Sequence, residues 1–305
     1  MNTHGPSGVV QARNVTLQLM KVGFRTARAP IHARTLKRFQ KAGLPPKLYP
    51  AIAYLLTGQL HPRDRAVASR VESLRRRLAE RGSMTIAEYA GRLTPETDRS
   101  QLPGVEMHTF DQIANRVSVP MSFGLFLYLC AEGFEAKRIL ELGSCAGISG
   151  CYLASAPRCS EFVTLELSPA LADIARENLH AVTHNATVIN ADFDKGLPAV
   201  VGPETAPFDL VWIDGHHERD ATLRYFSKLQ GHVSPGGLML FDDIHWTPEM
   251  REAWDLIRVW PGFSVTVNAA RLGMAVLKQS GDDDGAAPVN WQLKRRLGIT
   301  TLTRE

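Results

Sequence analysis

Two stretches of this chain gather titratable side chains where apolar runs end. Phe208-Asp209-Leu210-Val211-Trp212-Ile213 gives way to Asp214-Gly215-His216-His217, and Leu238-Met239-Leu240-Phe241 gives way to Asp242-Asp243-Ile244-His245. Asp214, Asp242 and Asp243 offer hard oxygens of the kind that hold Mg²⁺ or a similar divalent ion while leaving positions open for a substrate hydroxyl. Such an ion would lower the hydroxyl's pKa and orient it. His216, His217 and His245 are candidate catalytic proton acceptors, because imidazole titrates near neutrality. The plainer alternative is that an Asp at a strand end caps the following helix. Three further acids stand at comparable places: Glu141 inside Arg138–Leu142, Glu166 closing Phe162–Glu166, and Asp192 just after Thr187–Asn190.

The elements that must position these groups are legible from the glycines. After Arg138–Leu142 the chain breaks into Gly143-Ser144-Cys145-Ala146-Gly147, runs through a helix-compatible stretch over 147–156, and returns to apolar Phe162–Leu165 before Glu166. Strand, glycine turn, helix, strand and acid make a βαβ unit with a nucleotide-type pocket at the carboxyl edge of a sheet. Gly143 and Gly147 permit a tight turn and close approach to a ligand. Glu166 is placed to accept both hydroxyls of a ribose. A dinucleotide site would carry a glycine where Cys145 stands, which argues against a pyrophosphate on this helix. The acid before the turn, Glu141, suits a ligand bearing an ammonium and a sulfonium and no phosphate. This stretch resembles motif I of the class I methyltransferases, from which it departs at Cys145. The resemblance implies S-adenosylmethionine as cofactor. The candidate contacts are Glu141, Gly143, Ser144, Gly147, Ile148, Ser149, Glu166, Asp192, Phe193 and Asp214, with Asp192 accepting from the adenine amine and Phe193 covering the ring.

The rest of the chain organises around that unit. Parallel strands are expected at 138–142, 162–166, 187–190, 208–213 and 238–241, with helices at 147–156, 169–182 and 218–231 between them. Pro248–Val259 is amphipathic, and Phe263–Asn268 with Met274–Lys278 alternates as an edge hairpin. The fold class is therefore α/β: a Rossmann-like class I methyltransferase fold, a mostly parallel sheet with a C-terminal antiparallel hairpin, plus a helical N-terminal appendage. The expected divisions are a basic extension over 1–44, a helical appendage and linker over 45–104, a methyltransferase domain over 105–280 and a C-terminal tail over 281–305. In the appendage Val67, Val71, Leu74 and Leu78 recur at helical spacing, as core or as a homodimer surface.

The stretch FDLVWIDGHHERDATLRYFSKLQGHVSPGGLMLFDDIHW resembles the small-molecule O-methyltransferases, nearest to a bacterial branch with I-D-G-x-H and F-D-D-I-x-W motifs. The resemblance covers about 105–280. In catechol and caffeoyl-CoA relatives the acid matching Asp214 is a metal ligand, and a lysine at the position of His217 is the base. His217 is then the natural substitute. The pair Asp242-Asp243 matches a metal-binding pair of the macrolide-sugar relatives. The implied activity is methyl transfer to a hydroxyl oxygen of a small-molecule acceptor. Alternatives are N-methylation, a nucleic-acid methylase and a catalytically silent S-adenosylmethionine-binding partner protein. No Asn-Pro-Pro-Tyr or Asp-Pro-Pro-Tyr motif follows strand four, as nitrogen methyltransferases often show there.

Composition bounds the remaining choices. With 44% hydrophobic and 22% charged residues in 305, the chain can hold one large α/β domain and an appendage. No apolar run reaches the ~18–20 residues of a membrane span. Four cysteines (Cys130, Cys145, Cys151 and Cys159) with no CxxC spacing imply reduced thiols and a cytoplasmic location. Residues 1–100 hold 18 Lys/Arg against 6 Asp/Glu, and residues 1–63 hold no acid. A basic segment of this kind serves nucleic-acid or anionic-membrane contact, targeting, or packing on an acidic domain. Without basic–aromatic interleaving, nucleic acid is not the expected partner.

Overall fold

The computed structural model describes residues 40, 43–82, 85–89, 105–283, 285–296 and 299–304. An antiparallel ribbon pairs β1 (Thr85–Tyr89) with β2 (Val105–Thr109). The main sheet is nine-stranded. Its members are β3 (Arg138–Leu142), β4 (Glu161–Glu166), β5 (Ala186–Asn190), β6 (Phe208–Ile213), β7 (Val233–Phe241), β8 (Phe263–Ala269), β9 (Leu272–Leu277), β10 (Val289–Arg296) and β11 (Ile299–Arg304). The spatial order is β11-β10-β8-β9-β7-β6-β3-β4-β5. Strands β7 to β5 in that order are parallel, and β9 joins β7 antiparallel. Helices Ile148–Ala154, Pro169–His180 and Arg219–Leu229 make the crossovers.

The strands are apolar on both faces because helices cover both. Successive residues divide between two cores: Ile139, Phe162, Trp212 and Leu240 face one layer, while Leu140, Val163, Val211 and Phe241 face the other. That is the period of two expected of strand side chains. Chain order reverses between β3 and β6, so the crevice at their carboxyl ends is where a ligand can enter an open sheet of this kind.

Four expectations change. The hairpin of β8 and β9 is present, but it is not the edge of the sheet. Segment 281–305 is not a simple tail either, because β10 pairs parallel with β8 and β11 antiparallel with β10. Trp291, only 3% exposed, anchors β10 in the core that also takes Val289, Leu293 and Leu302. The apolar stripe of the N-terminal helix Pro62–Ala79 is consumed inside the chain: Val67, Val71, Leu74 and Leu78 are all buried, so the homodimer expectation loses the surface on which it rested. Finally, Leu44, Leu48, Ala51 and Ile52 share one core with Phe126 and Tyr152, so the helices of 45–82 pack as part of one layer of the main domain. Most of the basic extension and the linker over 93–104 lie outside the described residues.

A buried polar knot ties these helices to the helix that follows the glycine turn. Helix Pro62–Ala79 starts with a proline at its first position, and Asp64 Oδ2 accepts the His61 amide at 2.8 Å. Further along, Arg75 Nε donates to Glu72 Oε2 at 2.9 Å, and its terminal nitrogens donate to the carbonyls of Ala114 and Val119. The other Glu72 oxygen accepts from Tyr152 Oη at 2.8 Å, on the helix that follows the glycine turn. Arg75→Ala would leave Glu72 half-buried without its cation and two carbonyls without donors. We expect a loss of about 3 kcal/mol of stability by urea denaturation. A loss within experimental error would mean the N-terminal helix is not integral to the domain.

Candidate functional site

The glycine turn is built by three residues with left-handed backbone: Gly143 (φ +94°), Cys145 (φ +47°) and Gly147 (φ +78°). A Cβ on Gly143 would lie 2.2 Å from the carbonyl oxygen of Asp214, and one on Gly147 would lie 2.9 Å from Ala175 Cα. These glycines let the turn press against the tip of β6 and let helix Pro169–His180 pack close. Cys145 adopts the conformation a glycine would take with less strain, costing roughly 1 kcal/mol. Its amide is secured by Glu166 Oε2 at 2.8 Å.

Glu166 thus has a structural task the sequence does not reveal. Its second oxygen accepts from the Ser168 amide, also at 2.8 Å, so one carboxylate joins the glycine turn to the loop after β4. Carboxylate oxygens have about four acceptor positions between them, which leaves capacity for ribose hydroxyls. Glu141 is completely buried beneath the turn, where Thr164 Oγ1 donates to its Oε2 at 2.8 Å. Burial pushes its carboxyl up to about 7, against hydrogen bonds from Ser149 and Thr164. Glu141 Oε1 and Ser144 Oγ have no hydrogen-bond partner among the described residues. Buried orphans of this kind call for an absent partner. Two acceptor-capable atoms below the turn fit a cofactor that carries an ammonium and hydroxyls.

The other expected cofactor residues are placed less uniformly. Ile148 and Ser149 open the helix, but their side chains are buried, so Ile148 can offer a ligand only its first-turn amide. Asp192 caps the single turn Phe193–Gly196, accepting from the Lys195 amide at 2.8 Å. The Phe193 ring lies edge-on to Tyr225 at 5.3 Å and would meet any Cβ on Gly215 at 2.9 Å. It therefore lies over the β6 tip beside the turn, where it can cover a flat ring.

The three aspartates do meet, though not as a metal site. Asp214 hydrogen-bonds Asp242, and Asp242 Oδ1 also accepts the Asp243 amide at 2.8 Å. Arg271, from the turn between β8 and β9, joins them. Its Nε donates to Asp242 Oδ1 at 2.7 Å, its Nη2 pairs with Asp242 Oδ2, and its Nε lies 3.2 Å from Asp243 Oδ1. Burial and the charge of Asp242 push the Asp214 carboxyl well above its usual value. Burial would raise Asp242 as well, but the Arg271 charge and hydrogen bonds outweigh it and hold Asp242 low. The hydrogen bond they share thus joins two carboxyls pushed in opposite directions, Asp214 up and Asp242 down. No group of three or more His, Cys, Asp or Glu among the described residues is arranged to hold a metal ion. A divalent ion would have to share Asp242 with a guanidinium that already takes both its oxygens. As arranged, Asp214, Asp242 and Asp243 do not fit Mg²⁺.

The histidines diverge. His216 has φ +56° and its Nδ1 lies 2.9 Å from Tyr225 Oη, while burial and the Arg224 charge lower its pKa. His245 is exposed, with Nε2 3.1 Å from Asn268 Oδ1. His217 Nε2 lies 3.6 Å from Asp214 Oδ1, at the acidic cluster. The left-handed residue at 216 splays two neighbouring imidazoles to different surroundings. Arg271 is the residue sequence reasoning missed. Its only signal was a basic side chain in the turn of a hairpin, and nothing local says that β9 pairs with β7 at Phe241↔Gly273.

Glu141 makes the ligand-free protein sensitive to pH. The folded chain holds the Glu141 proton up to about 7, while the unfolded chain releases it near 4.5. Stability therefore falls as pH rises through that window, by about 3 kcal/mol in all. Asp214, raised likewise, tilts the curve the same way. Glu141→Gln should flatten part of the decline measured by chemical denaturation between pH 5 and 8 and be the more stable protein at pH 8. An unchanged slope would show that Glu141 does not titrate in the fold.

Part of this chain is similar in sequence to known methyltransferases. Residues 140–244 match the family described as methyltransferase domain. A catechol O-methyltransferase of Niastella koreensis is 32% identical over 131 residues, covering 42% of this chain and 58% of that protein. A catechol O-methyltransferase of Mycobacterium tuberculosis is 37% identical over 109 residues, covering 34% and 48%. The chain thus spans about half the length of these two relatives. Among solved structures, an O-methyltransferase of Bacillus cereus in complex with S-adenosylhomocysteine is 25% identical, with TM-score 0.46 over 53% of this chain and 83% of that one. The segment 140–244, which carries the glycine turn, Glu166, Asp214 and the Asp242-Asp243 pair, is the part of the chain that matches the methyltransferase-domain family.

Proposed function

We propose that the chain methylates a hydroxyl oxygen of a small molecule, with S-adenosylmethionine as donor. The observation that carries this reading is the crevice between the tips of β3 and β6. The turn there leaves buried acceptors on Glu141 and Ser144 unpartnered, beside His217 and the acidic cluster. Bound S-adenosylmethionine supplies a sulfonium methyl whose S–C bond breaks with its electron pair kept by sulfur as the acceptor oxygen forms the new O–C bond. The chain's tasks are to orient that line of attack and to remove one proton. Glu166 would hold the ribose, Asp192 and Phe193 the adenine, and Glu141 with Ser144 the amino-acid end. His217 would take the hydroxyl proton, its ring directed by Asp214. The two catechol O-methyltransferases among the relatives make aromatic hydroxyls the first acceptors to try.

Two variants test the assignment. Glu166→Ala should weaken S-adenosylhomocysteine binding about 100-fold by calorimetry, since two hydrogen bonds to a charged acceptor contribute about 1.5 kcal/mol each. It should also lower stability, because the amides of Cys145 and Ser168 lose their acceptor. Near wild-type affinity would end the ribose assignment. His217→Gln should cut kcat by roughly 100-fold or more and flatten the rise of rate with pH while preserving cofactor binding. If His216→Gln or His245→Gln removes that pH dependence instead, the proton leaves by another histidine.

A further inference from the structure

The residues expected to bind a divalent ion surround a cation that belongs to the chain itself. Arg271 reaches them from the hairpin turn, where Ala270 takes φ +61° and the Ile244 amide donates to the Arg271 carbonyl at 3.0 Å. Its guanidinium engages both oxygens of Asp242, approaches Asp243 at 3.2 Å, and lies 5.1 Å from the centre of the Phe123 ring. Asp242 and Asp243 are 1% and 5% exposed, whereas the Arg271 side chain keeps 28% of its surface open. A buried carboxylate pair thus holds one side of the guanidinium, and its other side remains accessible at the carboxyl edge of β7.

We infer that Arg271 stands in for a divalent cation: it neutralises Asp242 and Asp243 and presents its remaining N–H groups to an anionic or hydroxyl oxygen of the acceptor. The charge balance supports it. The guanidinium already engages both Asp242 oxygens and lies 3.2 Å from Asp243 Oδ1, so the carboxylates face one permanent cation, and guanidinium is never deprotonated at working pH. The fork geometry of Arg matches a carboxylate in a bidentate way that a point charge does not. Hydroxyl deprotonation then needs no metal-bound oxygen: the proton passes to His217 and the oxygen's charge faces the guanidinium. This last step rests on the methyl-transfer reading, whereas displacement of the metal by Arg271 does not.

The test is titration of metal-stripped protein with MgCl₂ and MnCl₂, followed by calorimetry and thermal melting. S-adenosylhomocysteine binding is measured on the same samples. Wild type should show no stoichiometric binding at millimolar ion and no rise in Tm. Arg271→Ala, which empties the space beside three carboxylates, should bind Mn²⁺ at least 10-fold more tightly than wild type, and the added change Asp242→Asn should remove that gain. One-to-one binding by wild type overturns the inference. So does an Arg271→Ala protein that binds S-adenosylhomocysteine normally yet gains no ion affinity. If Arg271→Ala does not fold, Arg271→Met and the wild-type titration carry the same decision. Failure of wild type to bind S-adenosylhomocysteine would instead overturn the proposed cofactor and leave the ion result standing.

Discussion

The contact on which the site depends is between two backbones. Gly143 and Asp214 leave β3 and β6 as neighbours at the point where chain order reverses, so close that a single methyl at Gly143 would overlap the Asp214 carbonyl. The Asp214 amide in turn donates to the Leu142 carbonyl at 2.9 Å. Reversal sends the following helices to opposite faces and opens a crevice. The missing side chain keeps the two strand tips together on its floor. The cofactor turn and the acidic cluster therefore cannot move independently.

Around that floor, polar groups are arranged so that few buried charges lack an opposing group. Glu166 uses its carboxylate to hold two loop amides before any ligand arrives. Arg271 holds the Asp242 carboxyl low, while burial and the Asp242 charge push Asp214 up. Two of the buried polar atoms without a hydrogen-bond partner among the described residues, Glu141 Oε1 and Ser144 Oγ, lie under the glycine turn. Desolvation of an unmatched acceptor costs free energy, and a bound cofactor with complementary donors recovers it.

The N-terminal helices contribute through the same economy of buried groups. Their apolar residues complete the layer that covers one sheet face, and the Glu72–Arg75–Tyr152 knot fixes the helix that starts at the glycine turn. Phe123, on the helix before β3, lies against Arg271, so this layer also borders the acidic cluster. Among the described residues no single helix is long and apolar enough to cross a membrane.

The sequence by itself determined the five parallel strands, because each is a short run with apolar residues bounded by turn residues, and all but the edge strand β5 are mostly buried on both faces. It also pointed to the carboxyl edge as the candidate site, since Glu141, Glu166, Asp192, Asp214 and Asp242 all stand within or just beyond such runs. Only the tertiary structure decided what those acids do. Whether Asp242 meets a metal or a guanidinium depends on which strand the hairpin pairs with, and strand pairing is a contact between residues distant in sequence. Whether His216 or His217 faces the cluster depends on one backbone dihedral at position 216, which packing against Tyr225 selects. The strands β10 and β11 escaped notice for a related reason. The β10 alternation, Val289, Trp291 and Leu293, is short and ends in Lys294-Arg295-Arg296, and it becomes a strand by pairing with β8.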